Sequence, residues 1–237
     1  MAKFQELNIE NDIDVIIPIP DTSRTSALQC ALKMNIPYRD AFYKNCYIAR
    51  TFIMPGQQLR EKNVRLKLNP IKSEFVGKVV LLVDDSIVRG TTSSQIVRIA
   101  RDAGAKKVYF ASAAPAIRHP NVYGIDMPSR KELVAHETDE AGIATKIGAD
   151  MVFYQDLEAL EASVKILNPK IQGFDCSVFN GCYITGDVDD AMLEGLESGR
   201  NDAEKKKKNE GEVHCPESLP NRNAVVFFKT AAFTTIT

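Results

Sequence analysis

The sequence has no apolar run approaching the roughly 18 residues that a membrane span needs, which argues against an integral membrane protein. Its first residues, MAKFQELNIENDIDV, lack the basic segment followed by an apolar one that marks a secretory signal. Charge of one sign is not in excess either: 30 basic side chains face 31 acidic ones, for a formal net charge of −1. That balance argues against a general polyanion binder, although it says nothing about local clusters. The five cysteines, Cys30, Cys46, Cys176, Cys182 and Cys215, include no C-x-x-C, so neither a zinc ribbon nor a thioredoxin-type pair is signalled. An odd count without a signal sequence reads as reduced thiols in an intracellular, cytoplasmic protein. The three histidines, His119, His136 and His214, have no ligand-like spacing and are not expected to bind metal or to do chemistry. Neither G-x-G-x-x-G nor a Walker A pattern is present, which weakens nucleotide sites of those two types.

What is present is an ordinary globular composition, 44% hydrophobic and 26% charged over 237 residues, enough chain for a substantial core. Ile13–Pro20 is short, β-branched and bounded by prolines, which predicts a buried strand. The polar turn 21–25 follows. Ala27, Leu28, Ala31, Leu32 and Met34 then recur at helical spacing until Pro37. A second buried strand is expected at 78–85, with a helix whose face is Ile96, Val97, Ile99 and Ala100, closed by Gly104. Further strands are expected at 107–114 and 151–154, and helices at about 139–147 and 156–167. This alternation predicts an α/β fold: an open, mainly parallel sheet with helices on both faces.

Two stretches break the pattern. Residues 44–78 hold eight basic side chains against two acidic ones and show no sustained hydrophobic period, which reads as a long functional loop. Residues 201–212, NDAEKKKKNEGE, carry eight charges in twelve positions and read as disordered. The expected organisation is a domain over 1–172, a helical extension over 173–199 and a disordered tail over 200–237.

The chemistry concentrates in VVLLVDDSIVRGTT, residues 79–92. A buried strand delivers two carboxylates, Asp84 and Asp85, at its carboxyl end, where open α/β sheets bind ligands. Acceptor-only groups there suit sugar hydroxyls or a hydrated divalent cation. The loop that follows supplies hydroxyls, a glycine and backbone N–H groups at a helix N-terminus, the ingredients of a phosphate site. Together they describe a sugar phosphate. An isolated Asp-Asp-Ser is more simply a strand end with an N-cap. The apolar run before it, and the Gly-Thr-Thr and helix after it, favour the ligand.

This string resembles the signature of type I phosphoribosyltransferases. With DIDVIIPIPDTSRTSAL, AFYKNCYIARTFIMPGQQ, VYFASAAPAIRHPNVYGIDMPS and FDCSVFNGCY, the chain resembles the amidophosphoribosyltransferase family from about residue 10 to about residue 195. The resemblance implies transfer of a 5-phosphoribosyl group from phosphoribosyl pyrophosphate to ammonia, giving 5-phosphoribosylamine and pyrophosphate. It implies that Asp84 and Asp85 bind the ribose hydroxyls near Mg2+. It also implies that Ser86, Ile87, Val88, Arg89, Gly90, Thr91 and Thr92 wrap the 5-phosphate, and that Asp21, Thr22, Ser23 and Arg24 face the pyrophosphate. Lys44, Tyr47 and Arg50 would act catalytically on a loop that closes over the substrate, and residues 51–55 would help wall an ammonia path.

The cations of such a loop would stabilise the departing pyrophosphate, and closure would exclude water from the sugar carbon. Read without the resemblance, the same cations also fit a solvated loop or a nucleic-acid patch. Tyr43 and Tyr47 are a thin stacking platform for the latter, and no nucleic-acid or membrane partner is expected. The family further implies a homo-oligomer with purine nucleotides as inhibitors.

The chain departs from the family pattern at several points. Met1 is followed by Ala2 rather than by a nucleophilic cysteine, so the chain looks like the synthase half and no glutamine hydrolysis is expected. Cys46 and Ala49 stand in KNCYIAR where the family has arginine and glycine, and Leu66 replaces a second arginine, changes that bear on turnover more than on fold. Cys176 and Cys182 are not spaced for an iron–sulfur cluster, and none is expected. Two other readings are a phosphoribosyl pyrophosphate-binding or regulatory protein without catalysis, and a transferase that uses a purine base as nucleophile, which the long KNCYIARTFIMPGQQ segment fits poorly.

Overall fold

The structure, a computed structural model, describes residues 4, 9–44, 68–125, 127–198 and 226–227. Its centre is a four-stranded parallel sheet in the order β1 (Val15–Pro18), β4 (Val79–Asp84), β5 (Lys107–Ser112), β6 (Met151–Tyr154). The β4 strand lies between β1 and β5 and is buried at all six positions, which is why it reads as a continuous apolar run rather than an alternating one. Each fully buried valine or leucine of such a strand contributes about 1.5–3 kcal/mol relative to exposure.

The two faces of the sheet sort by residue parity. Val15, Ile17, Val80, Leu82, Val108, Phe110 and Val152 point into one apolar cluster. There they meet Ile96, Ile99 and Ala100 of α2 (Thr91–Asp102), and Ile143 and Ile147 of α3 (Glu140–Ile147). Ile16, Val79, Leu81, Val83, Tyr109 and Phe153 point the other way, onto Ala27 and Ala31 of α1 (Arg24–Met34). Successive strand side chains alternate across the sheet, so both faces need cover, and helices supply it on each side.

The α1 helix buries less than its sequence suggests. Only Ala27 and Ala31 are buried, one turn apart, while Leu28 and Leu32 are 42% and 66% exposed. Two alanines allow a close approach to the sheet along a narrow strip, and the leucines fall outside it. The helix stops at Asn35, in the left-handed conformation with φ 54°, ahead of Pro37.

The basic stretch 44–78 is not one continuous loop. Phe42–Lys44 (β2) pairs antiparallel with Leu68–Pro70 (β3), and Phe42, Leu68 and Phe75 are all buried in the α2 side of the core. These apolar residues are too widely spaced to show a period. Residues 45–67 lie outside the described residues.

Beyond β6 come α4 (Leu157–Leu167), β7 (Phe174–Asp175), α5 (Ser177–Asn180) and α6 (Asp190–Ser198). A third cluster joins Cys176 and Phe179 to Ile117 and Leu133, with Val88 and Leu157 packed against it. Val226–Phe227 (β8) pairs in parallel with β7. Among the described residues, no helix is long and apolar enough to cross a membrane.

Candidate functional site

The carboxyl ends of β1 and β4 are adjacent: Pro18 pairs with Val83, and the Ile19 N–H donates to the Val83 carbonyl at 2.8 Å. On the other side, Ala113 and Ala114 donate to the carbonyls of Asp84 and Asp85, both at 2.9 Å, so the end of β4 is held from two directions. Two candidate loops leave this edge.

The first is the loop after β4. Asp84 is 8% exposed, and its Oδ1 accepts the Asp85 N–H at 2.9 Å; Asp85 Oδ1 in turn accepts the Ser86 N–H at 2.8 Å. Burial, and then the neighbouring Asp85 charge, push the Asp84 carboxyl well above the ordinary carboxylate range. The site therefore holds a carboxylate at some electrostatic cost, which an incoming cation or hydroxyl donor relieves.

The loop then turns inward. Ile87 is 1% exposed within the core, and Val88 packs against the third cluster while its carbonyl accepts the Val134 N–H at 2.9 Å. Of the seven residues expected to wrap a phosphate, these two offer only backbone toward the open side. Arg89 Nε donates to Glu132 Oε1 at 3.1 Å. Gly90 has φ 74° and serves as the N-cap of α2. A Cβ there would stand 3.1 Å from Val134 Cγ2 and 3.2 Å from Ile147 Cγ2, so glycine is required both by backbone conformation and by space. Among the described residues no side chain caps α2, which leaves the first-turn N–H groups of Thr91 and Thr92 with the partial positive charge that favours an anion.

The second loop follows β1. Its Pro20–Asp21 peptide is cis. Asp21 takes an ion pair from Lys44, at the end of β2, and lies 3.8 Å from Arg24, which also reaches Asp40 at 3.5 Å. Thr22 is exposed. Ser23 is wholly buried, its hydroxyl donating to the Ile19 carbonyl, so its side chain braces the turn rather than facing a ligand. The structure thus brings Asp21, Arg24 and Lys44 together at one strand end and Asp84 through Thr92 at the next. Tyr47, Arg50, Cys46, Ala49 and Leu66 lie outside the described residues.

Sequence reasoning missed the segment that packs behind residues 88–90. Ser129 and Glu132 form a reciprocal capping box, and Val134 closes on Gly90. The Ser-x-x-Glu spacing is a readable signal for the box, but nothing in it announces Arg89, 43 residues earlier. Among the described residues there is no group of three or more His, Cys, Asp or Glu side chains that would hold a metal. The Asp84–Asp85 pair fits a cation that keeps most of its shell as water and ligand oxygens, the habit of Mg2+.

A parallel α/β sheet with paired acids on its central strand, and a glycine turn running into an uncapped helix, defines the class: an α/β protein of the phosphoribosyltransferase fold. No protein-family model matches the chain. It is 61% identical over 198 residues to the amidophosphoribosyltransferase of Pasteurella multocida, covering 84% of this chain and 39% of that protein. It is also 61% identical over 208 residues to that of Haemophilus influenzae, covering 88% and 41%. Among solved structures it is similar to the glutamine phosphoribosylpyrophosphate amidotransferase from B. subtilis complexed with ADP and GMP. That match has a TM-score of 0.61 and 40% identity, over 72% of this chain and 38% of the other. The chain belongs to the amidophosphoribosyltransferase family, and spans about two fifths of the length of the curated relatives it matches.

Proposed function

We propose that the chain transfers a 5-phosphoribosyl group from phosphoribosyl pyrophosphate to ammonia, giving 5-phosphoribosylamine and pyrophosphate, the first step of purine biosynthesis. The observation that carries this reading is the pairing of Asp84 and Asp85 with the uncapped N-terminus of α2 at Gly90, on one edge of one sheet. Acids for ribose hydroxyls lie next to N–H donors for a 5-phosphate, and few ligands other than a phosphorylated sugar need both.

In this reading Asp84 and Asp85 accept from the ribose hydroxyls and are the residues that would hold Mg2+, which when bound supplies positive charge against the pyrophosphate. Backbone N–H groups of the loop 86–92 and the hydroxyls of Ser86, Thr91 and Thr92 grip the 5-phosphate. The turn 21–24 meets the pyrophosphate through Arg24 and backbone N–H groups. Lys44 leaves Asp21 for the leaving group, where negative charge grows as the bond to the sugar carbon breaks. Arg50 adds to the cationic cover, Tyr47 closes over the substrate with it, and residues 51–55 help wall the ammonia path. Ammonia arrives neutral, so no general base is required before attack; the proton lost afterwards passes to solvent. Excluding water protects the cationic sugar carbon from hydrolysis.

Purine nucleotides as inhibitors, and assembly into a homo-oligomer, belong to the same proposal; the B. subtilis relative was solved with ADP and GMP. So does a cytoplasmic location, which agrees with the free thiols of Cys30, Cys176 and Cys182.

The test is pyrophosphate release from phosphoribosyl pyrophosphate and magnesium, with and without ammonium. Ammonium-dependent release is expected. Tight substrate binding with no release under any ammonium concentration supports a binding or regulatory protein instead.

A further inference from the structure

Arg89 is half-exposed on the loop expected to hold a phosphate, and the carboxylate it meets is doubly anchored. Glu132 Oε1 accepts from Arg89 Nε at 3.1 Å, while the other oxygen, Oε2, accepts from the Ser129 N–H at 3.1 Å and the Ser129 hydroxyl at 3.2 Å. The carboxylate cannot rotate without losing one set or the other. Its charged form is favoured: partial burial works to raise its pKa, but the Ser129 N–H and the Arg89 charge outweigh that and hold it below the usual glutamate range.

The segment bearing Glu132 is itself fastened down. Val134 donates to the Val88 carbonyl at 2.9 Å and its methyl closes on Gly90. Arg118 Nη1 donates to the carbonyls of Ala135 at 2.8 Å and Thr138 at 3.3 Å, and His136 Nδ1 lies 3.1 Å from the Arg118 carbonyl. Arg118 and His119 both donate to the Val178 carbonyl of α5. The phosphate loop therefore rests on a strap, residues 129–138, that is tied through residues 118–119 to α5.

An arginine loses about 2 kcal/mol of rotamer entropy when it is fixed. Here the protein fixes it beforehand, through Nε alone. A guanidinium has five N–H donors, and the Nη1 and Nη2 groups of Arg89 have no protein partner among the described residues. We propose that Glu132 is a positioning residue for ligand binding, holding Arg89 so that its Nη groups meet an anionic oxygen of the bound sugar phosphate. The inference rests on the sugar-phosphate reading of the loop and adds to it a residue that does not itself touch the ligand.

The test uses the full chain with ribose 5-phosphate as probe, measured by calorimetry, and the variants Glu132→Gln, Arg89→Ala and their combination. Glutamine keeps an oxygen for the capping box but turns an N–H toward Arg89, so the fold is retained and the arginine released. Glu132→Gln is expected to raise Kd about three- to tenfold, with a thermal melt close to that of the unaltered chain. If Glu132 acts through Arg89, adding Glu132→Gln to Arg89→Ala weakens binding no further, a non-additivity that a purely structural role does not produce. Unchanged or tighter binding by Glu132→Gln, or full additivity in the double variant, overturns the inference while leaving the sugar-phosphate reading intact. No binding by the unaltered chain overturns both.

Discussion

At the scale of single residues, the site stores its cost in two positions. Asp84 is a carboxylate buried beside another carboxylate, and its raised pKa has a definite sign for stability. Where both folded and unfolded chains are ionised, the folded one bears the penalty. As pH falls through the raised folded value, the folded form takes up a proton first and the penalty is relieved. Asp84→Asn, which keeps an oxygen for the Asp85 N–H, is expected to melt a few degrees higher than the unaltered chain at neutral pH. For a chain of this size that corresponds to about 1 kcal/mol. The difference should shrink as pH drops toward the ordinary carboxylate pKa, while binding of ribose 5-phosphate is lost. Calorimetric melts across pH check the first outcome, and titration checks the second.

Gly90 is the other such position. Its left-handed φ costs a side-chain-bearing residue about 1–2 kcal/mol, and the added methyl would press on Val134 and Ile147. Gly90→Ala is expected to lose at least that much stability in urea denaturation, and to weaken phosphate binding because the first turn of α2 must shift.

At the scale of elements, the loop after β4 depends on neighbours that arrive much later in the chain. The α3 helix presents Ile147 to Gly90, and its own start is capped by Asp139, whose side chain accepts the Gly142 N–H at 2.8 Å. Asp139→Ala is expected to cost about 1 kcal/mol of global stability. It should leave ribose 5-phosphate affinity within about twofold, because α3 is also held by Ile143 and Ala144 in the core. A denaturation curve paired with a binding titration separates the two effects. Element identities were largely readable from the sequence because each strand and helix keeps its own period: a buried apolar run for β4, the Ile96–Ala100 face for α2, prolines and glycines at the ends. The reading failed where burial was narrow or sparse. The α1 leucines look like core in the sequence and are not, because Ala27 and Ala31, with Cys30 and Met34 beside them, make that contact. The β2–β3 pair has too few residues to show alternation.

At the scale of the whole molecule, the near-zero net charge conceals the segregation that matters. Acids line one strand end, and Asp21 holds Lys44 beside Arg24 at the next, so cations and anions sit on adjacent loops of one sheet edge. The sequence alone determined the parallel α/β class, the strand that bears the acids and the loop proposed to bear the phosphate donors. All of these are local: a buried run, two carboxylates, a glycine and a helix start lie within 14 consecutive residues, 79–92. Only the tertiary structure decided that Ser23, Ile87 and Val88 turn their side chains inward, that Lys44 meets Asp21, and that Glu132 and Val134 brace the loop. Those outcomes depend on which surfaces are adjacent after the sheet has formed. Register and strand order set that adjacency, and local periodicity does not encode them.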